Sequence, residues 1–322
     1  FFFEFMSALR IIKSTVTNPF INIALEELLF EQQWHDQHQH TLYLWRNEPS
    51  VIIGRNQNPF KECHLTTMEQ DGVHLARRRS GGGAVYQDLG NSIFTFLSGA
   101  PFYEKEVNFR ILTKALSKPR FGTLQVETKG RNDLVDSKSG RKVSGSAYKL
   151  ANQKAIHHGT ILLNTDLQRM KQYLNPNKEK LRSKGVASVQ ARVINLNELS
   201  NDFLDHENLC DAIIESFLEQ HHQPHQPPVR VETHEDVERS DATALGKKID
   251  QLKDWQWRFG ETPSFDHQME TRFEWGIVDV NIDSKKGLIT DVKIFSDTLY
   301  PPLIDQLTHA IRSAKQYEAK AI

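Results

Sequence analysis

Apolar residues occur along the chain both in short continuous runs and at helical spacing, and this alternation predicts a fold that mixes strands with helices. The continuous runs predict strands over residues 9–12, 41–46, 51–53, 92–97 and 159–163. Helical spacing predicts helices over residues 19–34, 65–71, 104–117, 207–219 and 242–260. Asn18 is expected to cap the first of these helices, and Gly72 to end the second.

The pattern changes near residue 258, where a second unit is expected to begin. Beyond that point the signals predict one strand over residues 273–282, a turn at 284–287, a strand around 290–294 and a helix opened by Pro301. We therefore expect a large domain, residues 1–253, and a small sheet-plus-helix domain, residues 258–322.

A glycine-rich segment follows three arginines: Arg77, Arg78 and Arg79 precede Ser80 and the glycines at 81–83. Glycine lets the backbone adopt positive φ and lets a ligand approach the main chain, and arginine matches phosphate or carboxylate. The segment therefore predicts an anion cradle, although a flexible turn beside a solvated charge run has the same composition. It is neither a Walker loop nor a Gly-x-Gly-x-x-Gly fingerprint.

A second group of polar residues lies on a predicted hairpin with its tip at residues 136–140. Asn132 and Asp133 lie on one arm, and Lys142 begins the other arm in a Lys-Val-Ser-Gly-Ser-Ala segment. The segment His-His-Gly-Thr, residues 157–160, begins the next strand. Each signal alone is weak, because an exposed lysine or a structural histidine has the same appearance.

Composition excludes several classes of protein. The 322 residues are 38% hydrophobic and 25% charged with a net charge of −1, which is typical of a globular protein and argues against a nucleic-acid binder. No apolar run approaches the roughly 20 residues of a membrane span. Cys63 and Cys210 lack metal-ligand spacing and indicate a reducing compartment. Residues 1–5 are mostly phenylalanine, and Met6 is the expected natural start.

Taken together, these motifs resemble the lipoate–protein ligase family, in its bacterial two-domain form. That family has Arg-Arg-x-Ser-Gly-Gly-Gly, Asn-Asp, Lys-(Val/Ile)-Ser-Gly-(Ser/Thr)-Ala and His-His-Gly-Thr in the order found here, and the similarity extends over residues 9–299. Two departures are visible. Gln87 replaces a histidine that is common in the family, and the C-terminal domain ends earlier than expected.

The resemblance implies an α+β fold, with a biotin/lipoate ligase-like catalytic domain of mixed sheets flanked by helices and a small α/β accessory domain that rotates between steps. It implies activation of lipoate by ATP to lipoyl-AMP and transfer of the lipoyl group to a lysine of an acceptor protein. The implied acceptors are lipoyl domains of 2-oxoacid dehydrogenase complexes and the glycine-cleavage H protein. A monomer in the cytoplasm is expected, with the mitochondrion left open for a eukaryotic source.

The resemblance also implies roles for individual residues, with Lys142 as the catalytic residue that contacts both substrates. The expected ATP-binding residues are Arg78, Gly83, Ala84, Val85, Tyr86 and Lys142. The expected lipoate-binding residues are Arg77, Ser80, Lys142 and His158, with Ile93 and Leu162 as candidates for the apolar slot. Asn132 and Asp133 are expected beside the adenylate, with Asp133 as the Mg²⁺ ligand.

Two segments and two functions stay open at this point. The basic segment at residues 178–192 is expected to close over the adenylate, with a mobile surface loop as the alternative. The histidines at 221–225 suggest metal binding, but the surrounding prolines and glutamines favour a connector. A lipoyltransferase that uses pre-formed lipoyl-AMP and a non-catalytic lipoate- or nucleotide-binding protein are the alternative functions. An octanoyltransferase of the same fold fits less well. It would need a nucleophilic cysteine beside a lysine, and neither Cys63 nor Cys210 lies in such a motif.

Overall fold

The computed structural model of the protein describes residues 8–32, 38–122, 124–175, 193–200, 202–222, 229–260, 267–285 and 288–314. The strands are β1 Ala8–Lys13, β2 His38–Trp45, β3 Ser50–Ile53, β4 His74–Arg77, β5 Val85–Gln87, β6 Asn91–Gly99, β7 Val126–Lys129, β8 Asp133–Asp136, β9 Lys142–Ala151, β10 Lys154–Leu162, β11 Arg230–Thr233, β12 His267–Phe273, β13 Gly276–Lys285 and β14 Leu288–Ser296. The helices are α1 Pro19–Gln32, α2 Pro59–Glu62, α3 Leu65–Gln70, α4 Lys105–Leu116, α5 Leu167–Tyr173, α6 His206–His221, α7 His234–Ser240, α8 Ala242–Lys253, α9 Trp255–Arg258 and α10 Pro301–Ala314.

An eight-stranded mixed sheet in the order β11-β1-β2-β6-β10-β9-β8-β7 forms the centre of the fold. Successive residues of its inner strands enter two different cores, since side chains alternate between the faces of a sheet. Along β2, Leu42 and Leu44 pack into the core that contains α4 and α6, while Tyr43 and Trp45 pack into the core that contains α1. Burial on both faces explains why β2 is apolar at four successive positions, residues 42–45.

A small second sheet, β4-β3-β5, carries the glycine-rich segment. β3 is parallel to β4 and antiparallel to β5, so the chain must reverse between Arg77 and Val85. Residues 78–84 make this reversal, and Gly82 has a φ of +90° within it. The predicted glycine loop is therefore the connection between two strands of a buried sheet.

The third sheet, β12-β13-β14, is covered by α10 and has its own apolar core around Ile282, Val292 and Ile304. The prediction of one strand over residues 273–282 was wrong, because the chain turns at Glu274 and Trp275 and Phe273 pairs with Gly276. The strand β12 gave no apolar signal, since its side chains from Gln268 to Phe273 are exposed.

The helix predicted over residues 242–260 is two helices. Asp254 separates them, and its carboxylate accepts a hydrogen bond from the backbone N–H of Trp257, so it caps α9. Other predicted ends agree with the structure: Asn18 accepts from the N–H groups of Phe20 and Ile21, and Gly72 follows α3 with a φ of +66°.

Residues 178–192, the predicted lid, and residues 223–228 of the histidine-rich segment lie outside the described residues. The predicted boundary between domains 1–253 and 258–322 stays a prediction. Within the described residues, no helix has both the length and the apolar character of a membrane span.

Two buried histidines should make the fold sensitive to acid. Burial lowers the pKa of His206 to about 4 and that of His157 well below its ordinary value of 6.5. As pH falls below about 6.5, the unfolded chain binds protons at these residues while the folded chain stays neutral, so stability present above pH 6.5 is lost towards pH 4. We expect roughly 1–2 kcal/mol to be lost at His206 between pH 7 and pH 5, and a loss in the same direction at His157.

Urea titrations at each pH test this expectation. His206→Gln should lose less stability on acidification than the wild type, whereas His309→Gln, which changes an exposed side chain on α10, should behave like the wild type. An unchanged pH slope in His206→Gln would contradict the assignment.

Candidate active site

A cavity of about 340 Å³ lies where the eight-stranded sheet, the glycine loop and the C-terminal sheet meet. Its apolar wall is formed by residues of a single core, Ile23, Trp45, Ile52 and Ile93. Its polar wall includes Arg131 and Asn132, from the turn before β8, and Asp133 and Lys142, the first residues of β8 and β9. The cavity can therefore accept a ligand that is apolar at one end and charged at the other.

Arg78 holds the glycine loop in shape. Its Nη2 donates to the carbonyl oxygens of Gly81 at 2.7 Å and Gly83 at 2.9 Å, and its Nη1 donates to that of Ile52 at 3.0 Å. Burial lowers the pKa of this guanidinium to about 10, which leaves it charged at neutral pH. Arg78 lines the cavity together with Gly83, Ala84 and Val85. Because the carbonyls point to Arg78, the loop is a fixed surface against which a ligand can lie.

Arg77 points away from the cavity, which is at odds with its expected role in binding the lipoate carboxylate. Its guanidinium donates to the main-chain oxygens of Gln57 at 2.6 Å, Trp257 at 2.7 Å and Arg258 at 2.8 Å. Arg77 is the last residue of β4, and successive residues of a strand face opposite sides. Arg78 lines the cavity, so Arg77 faces the other way. Its hydrogen bonds to Trp257 and Arg258 connect α9 to the second sheet.

Three further candidates also lie outside the cavity lining. The Tyr86 side chain packs against Tyr173, with ring centroids 5.6 Å apart, in the same core as Leu162. The Tyr86 side chain is therefore not placed to contact a nucleotide in the cavity. Ser80 is buried behind the cavity and lies 2.7 Å from His158 Nε2, whereas His158 itself lines the cavity. Of the two candidates for an apolar slot, Ile93 lines the cavity and Leu162 does not.

Lys142 and Asp133 form an ion pair at 2.6 Å in the polar wall. The β-strand pairing of Asp133 with Gly145 brings the two arms of the hairpin together here. A Cβ atom on Gly145 would lie 2.5 Å from Lys142 Nζ, so the glycine leaves space for the ammonium group. Asn132 donates to the Ser146 carbonyl oxygen at 2.7 Å and holds the same corner. The four residues place one cation and one carboxylate at the cavity mouth.

The C-terminal unit closes one side of this cavity, which the sequence did not indicate. The Gly82 N–H donates to the Thr298 carbonyl oxygen at 2.9 Å, and Asp297 and Leu299 line the cavity. A Cβ atom on Gly81 would lie 2.1 Å from the Thr298 oxygen, so only glycine permits this approach. The glycine loop is therefore also a contact between the second sheet and the segment that follows β14 of the third sheet.

Sequence reasoning also missed Glu26, a buried carboxylate of α1 that lines the cavity. A signal was present, since Glu26 belongs to a helix that is buried along most of its length. Gln87, the departure from the family pattern, lines the cavity and accepts a hydrogen bond from Asn47 Nδ2 at 2.7 Å.

Magnesium commonly binds through one or two carboxylates together with substrate phosphates and water. The described residues contain no group of three or more potential metal ligands. Asp133, a single carboxylate at the mouth of the cavity, fits a site that is completed by phosphate oxygens.

Comparisons with known proteins identify the family to which the chain belongs. The family model of the lipoyl protein ligase A/B catalytic domain matches residues 18–218, and that of the bacterial lipoate protein ligase C-terminus matches residues 262–322. The lipoate-protein ligase A of Psychrobacter cryohalolentis is 46% identical over 308 residues, which cover 95% of this chain and 88% of that protein.

Among solved structures, P. falciparum LipL1 in complex with lipoate is 34% identical, with a TM-score of 0.80 over 94% of this chain and 89% of that one. A lipoate-protein ligase A bound with ATP is 24% identical, with a TM-score of 0.64 over 79% of this chain and 99% of that one, and supports the fold alone. These matches assign the fold to a class of enzymes, the lipoyl protein ligases. Within that class, the chain belongs to the lipoate–protein ligase A family.

Proposed function

We propose that the protein activates lipoate with ATP, forming lipoyl-AMP and pyrophosphate, and then transfers the lipoyl group to a lysine of an acceptor protein. The observation that carries this proposal is that Lys142, the glycine loop and an apolar wall line the same cavity. The apolar wall suits the hydrocarbon arm of lipoate, and the polar wall suits the carboxylate and the phosphates.

In the first step, a carboxylate oxygen of lipoate attacks the α-phosphate of ATP, and both reactants are anionic. Lys142 is the residue we assign to lie between them and to stabilise the charge that develops on the phosphate. A single donor placed in this way is typically worth about 3–4 kcal/mol, or roughly a thousandfold in rate. The main chain of Gly83, Ala84 and Val85 would contact the nucleotide, with Arg78 holding that loop in place.

In the second step, the amine of the acceptor lysine attacks the carbonyl carbon of the anhydride, and AMP leaves. This route needs no covalent intermediate on the enzyme. Burial raises the pKa of both Cys63 and Cys210 to about 12, so neither thiol is suited to act as a nucleophile. Their properties support direct transfer over an octanoyltransferase-like mechanism.

We include Mg²⁺ in the proposal, held by Asp133 and the ATP phosphates, where it would neutralise charge on the leaving pyrophosphate. We propose lipoyl domains of 2-oxoacid dehydrogenase complexes and the glycine-cleavage H protein as acceptors. A bipartite lipoate protein ligase from Thermoplasma acidophilum has been studied with its E2 lipoyl domain, which makes such domains suitable first substrates. A monomer in the cytoplasm completes the proposal.

ATP–pyrophosphate exchange, measured with and without lipoate, tests the activation step. We expect exchange that depends on lipoate and Mg²⁺. Absence of exchange together with transfer from pre-formed lipoyl-AMP would identify a lipoyltransferase instead. Binding of both ligands without exchange or transfer would identify a non-catalytic binding protein.

A further inference from the structure

A line of hydrogen bonds runs behind the cavity and begins at its apolar wall. The indole Nε1 of Trp45 donates to Thr95 Oγ1 at 3.1 Å, and the Thr95 hydroxyl donates to Glu26 Oε1 at 2.6 Å. All three residues are buried, with 5% exposure or less. Trp45 and Glu26 line the cavity, whereas Thr95 lies behind them on β6.

The line continues from Glu26 to the glycine loop. His158 Nδ1 lies 2.8 Å from Glu26 Oε1, and His158 Nε2 lies 2.7 Å from Ser80 Oγ. Arg78 Nε donates to the same Ser80 oxygen at 3.1 Å. The line therefore ends at the guanidinium that holds the carbonyl groups of Gly81 and Gly83.

The donors along this line can be assigned without conflict. The indole and the guanidinium can only donate, and an ionised Glu26 can only accept. His158 then donates from Nδ1 to Glu26 and accepts at Nε2 from the Ser80 hydroxyl. Every hydrogen bond points towards Glu26, so displacement of one member disturbs its neighbours on both sides. The arrangement is a single connected network.

The order Ser80, His158, Glu26 is also that of a nucleophile, its base and an orienting carboxylate. Ser80 is only 2% exposed, lies off the cavity lining and already accepts from Arg78. Its oxygen therefore cannot meet a substrate in the cavity. The arrangement is suited to position other groups rather than to attack one.

We propose that Ser80 and Thr95 are positioning residues that couple the two substrate sites of the cavity. A carboxylic acid whose hydrocarbon arm packs against Trp45, beside Glu26 and His158, fixes the position of His158. Through Ser80, it also fixes Arg78 and the glycine loop that receives the nucleotide. The inference rests on the proposed function for the identity of the two ligands. It adds that each ligand raises the affinity for the other.

Calorimetric titration with the non-reactive analogue α,β-methylene-ATP, with and without saturating lipoate, measures this coupling. We expect lipoate to raise the affinity for the analogue by about fivefold or more in the wild type. The reverse titration must give the same factor, because coupling between two ligands is reciprocal. In Ser80→Ala, which breaks the connection between His158 and Arg78, the factor should fall to about one.

Thr95 provides a matched pair of variants that change no cavity-lining residue. Thr95→Ser keeps the hydroxyl and should keep the coupling. Thr95→Val removes the hydroxyl and should lose the coupling. Ser80→Ala decides the question if Thr95→Val does not fold. A wild-type factor of one, or a Ser80→Ala factor equal to that of the wild type, overturns this inference while the proposed function stands. Failure of the wild type to bind either ligand overturns the proposed function itself.

Discussion

Replacing Lys142 with alanine should reduce lipoate-dependent ATP–pyrophosphate exchange by roughly a thousandfold or more. The variant loses the cation that we place between the lipoate carboxylate and the α-phosphate, while the glycine loop and the apolar wall remain. Its melting temperature should change little, because the Lys142–Asp133 ion pair is partly exposed, at 34% and 31% of the two side chains, and such pairs contribute about 0–1 kcal/mol. Exchange kinetics and a thermal melt on the same preparation provide the measurement.

Lys138→Ala is the matched control for this experiment. Lys138 is exposed at the tip of the same hairpin and does not line the cavity, so its loss should leave exchange unchanged. If Lys142→Ala unfolds at a much lower temperature and loses activity in proportion, the lysine is structural. If the variant keeps wild-type exchange, Lys142 has no part in activation.

The central part of the fold could be predicted because local signals and the tertiary structure agree there. Residues 93, 94, 96 and 97 are apolar and so fall on both faces of β6, which is buried throughout; this is why the apolar pattern found the strand. The hairpin of β8 and β9 was also predictable, since Val135 pairs with Lys142 across a polar turn. Resemblance to a family added the roles of the residues, which composition and spacing alone left open.

What could not be predicted depends on contacts between segments that are distant in sequence. No pattern around Arg77 shows that its partners are carbonyl oxygens of residues 57, 257 and 258. No pattern around Gly81 shows that Thr298 approaches it. The edge strand β12 is missed for a different reason, because its hydrogen bonds are made by the main chain and its side chains are exposed.

The glycine loop lies between these two cases. The absence of side chains at residues 81–83 predicted an unusual backbone and a close approach. Gly82 has the positive φ that this requires, and Gly81 has the close approach, but the approaching atom belongs to the protein itself. Both glycines are therefore needed by the fold before any ligand binds. A test of the loop must separate the loss of stability from the loss of binding.

Replacing Gly82 with valine should weaken nucleotide binding by roughly tenfold or more, in addition to destabilising the fold. A β-branched residue at a φ of +90° costs about 1–3 kcal/mol. Its Cβ atom would also lie 3.0 Å from Arg78 Nη2 and 3.2 Å from Leu299 Cδ2, and the two methyl groups beyond it would displace the guanidinium that holds the loop. Calorimetric titration with α,β-methylene-ATP and a urea titration measure the two effects separately.

Gly72→Val is the control that makes the comparison decisive. Gly72 also has a positive φ, +66°, but a Cβ atom there would meet no atom within 4 Å. Both variants impose backbone strain, and this strain should cost each of them about 1–3 kcal/mol of stability. Only Gly82→Val crowds Arg78, so only that variant should lose affinity for the nucleotide analogue. Equal affinities in the two variants would show that the glycine loop is an ordinary turn and that the nucleotide binds elsewhere.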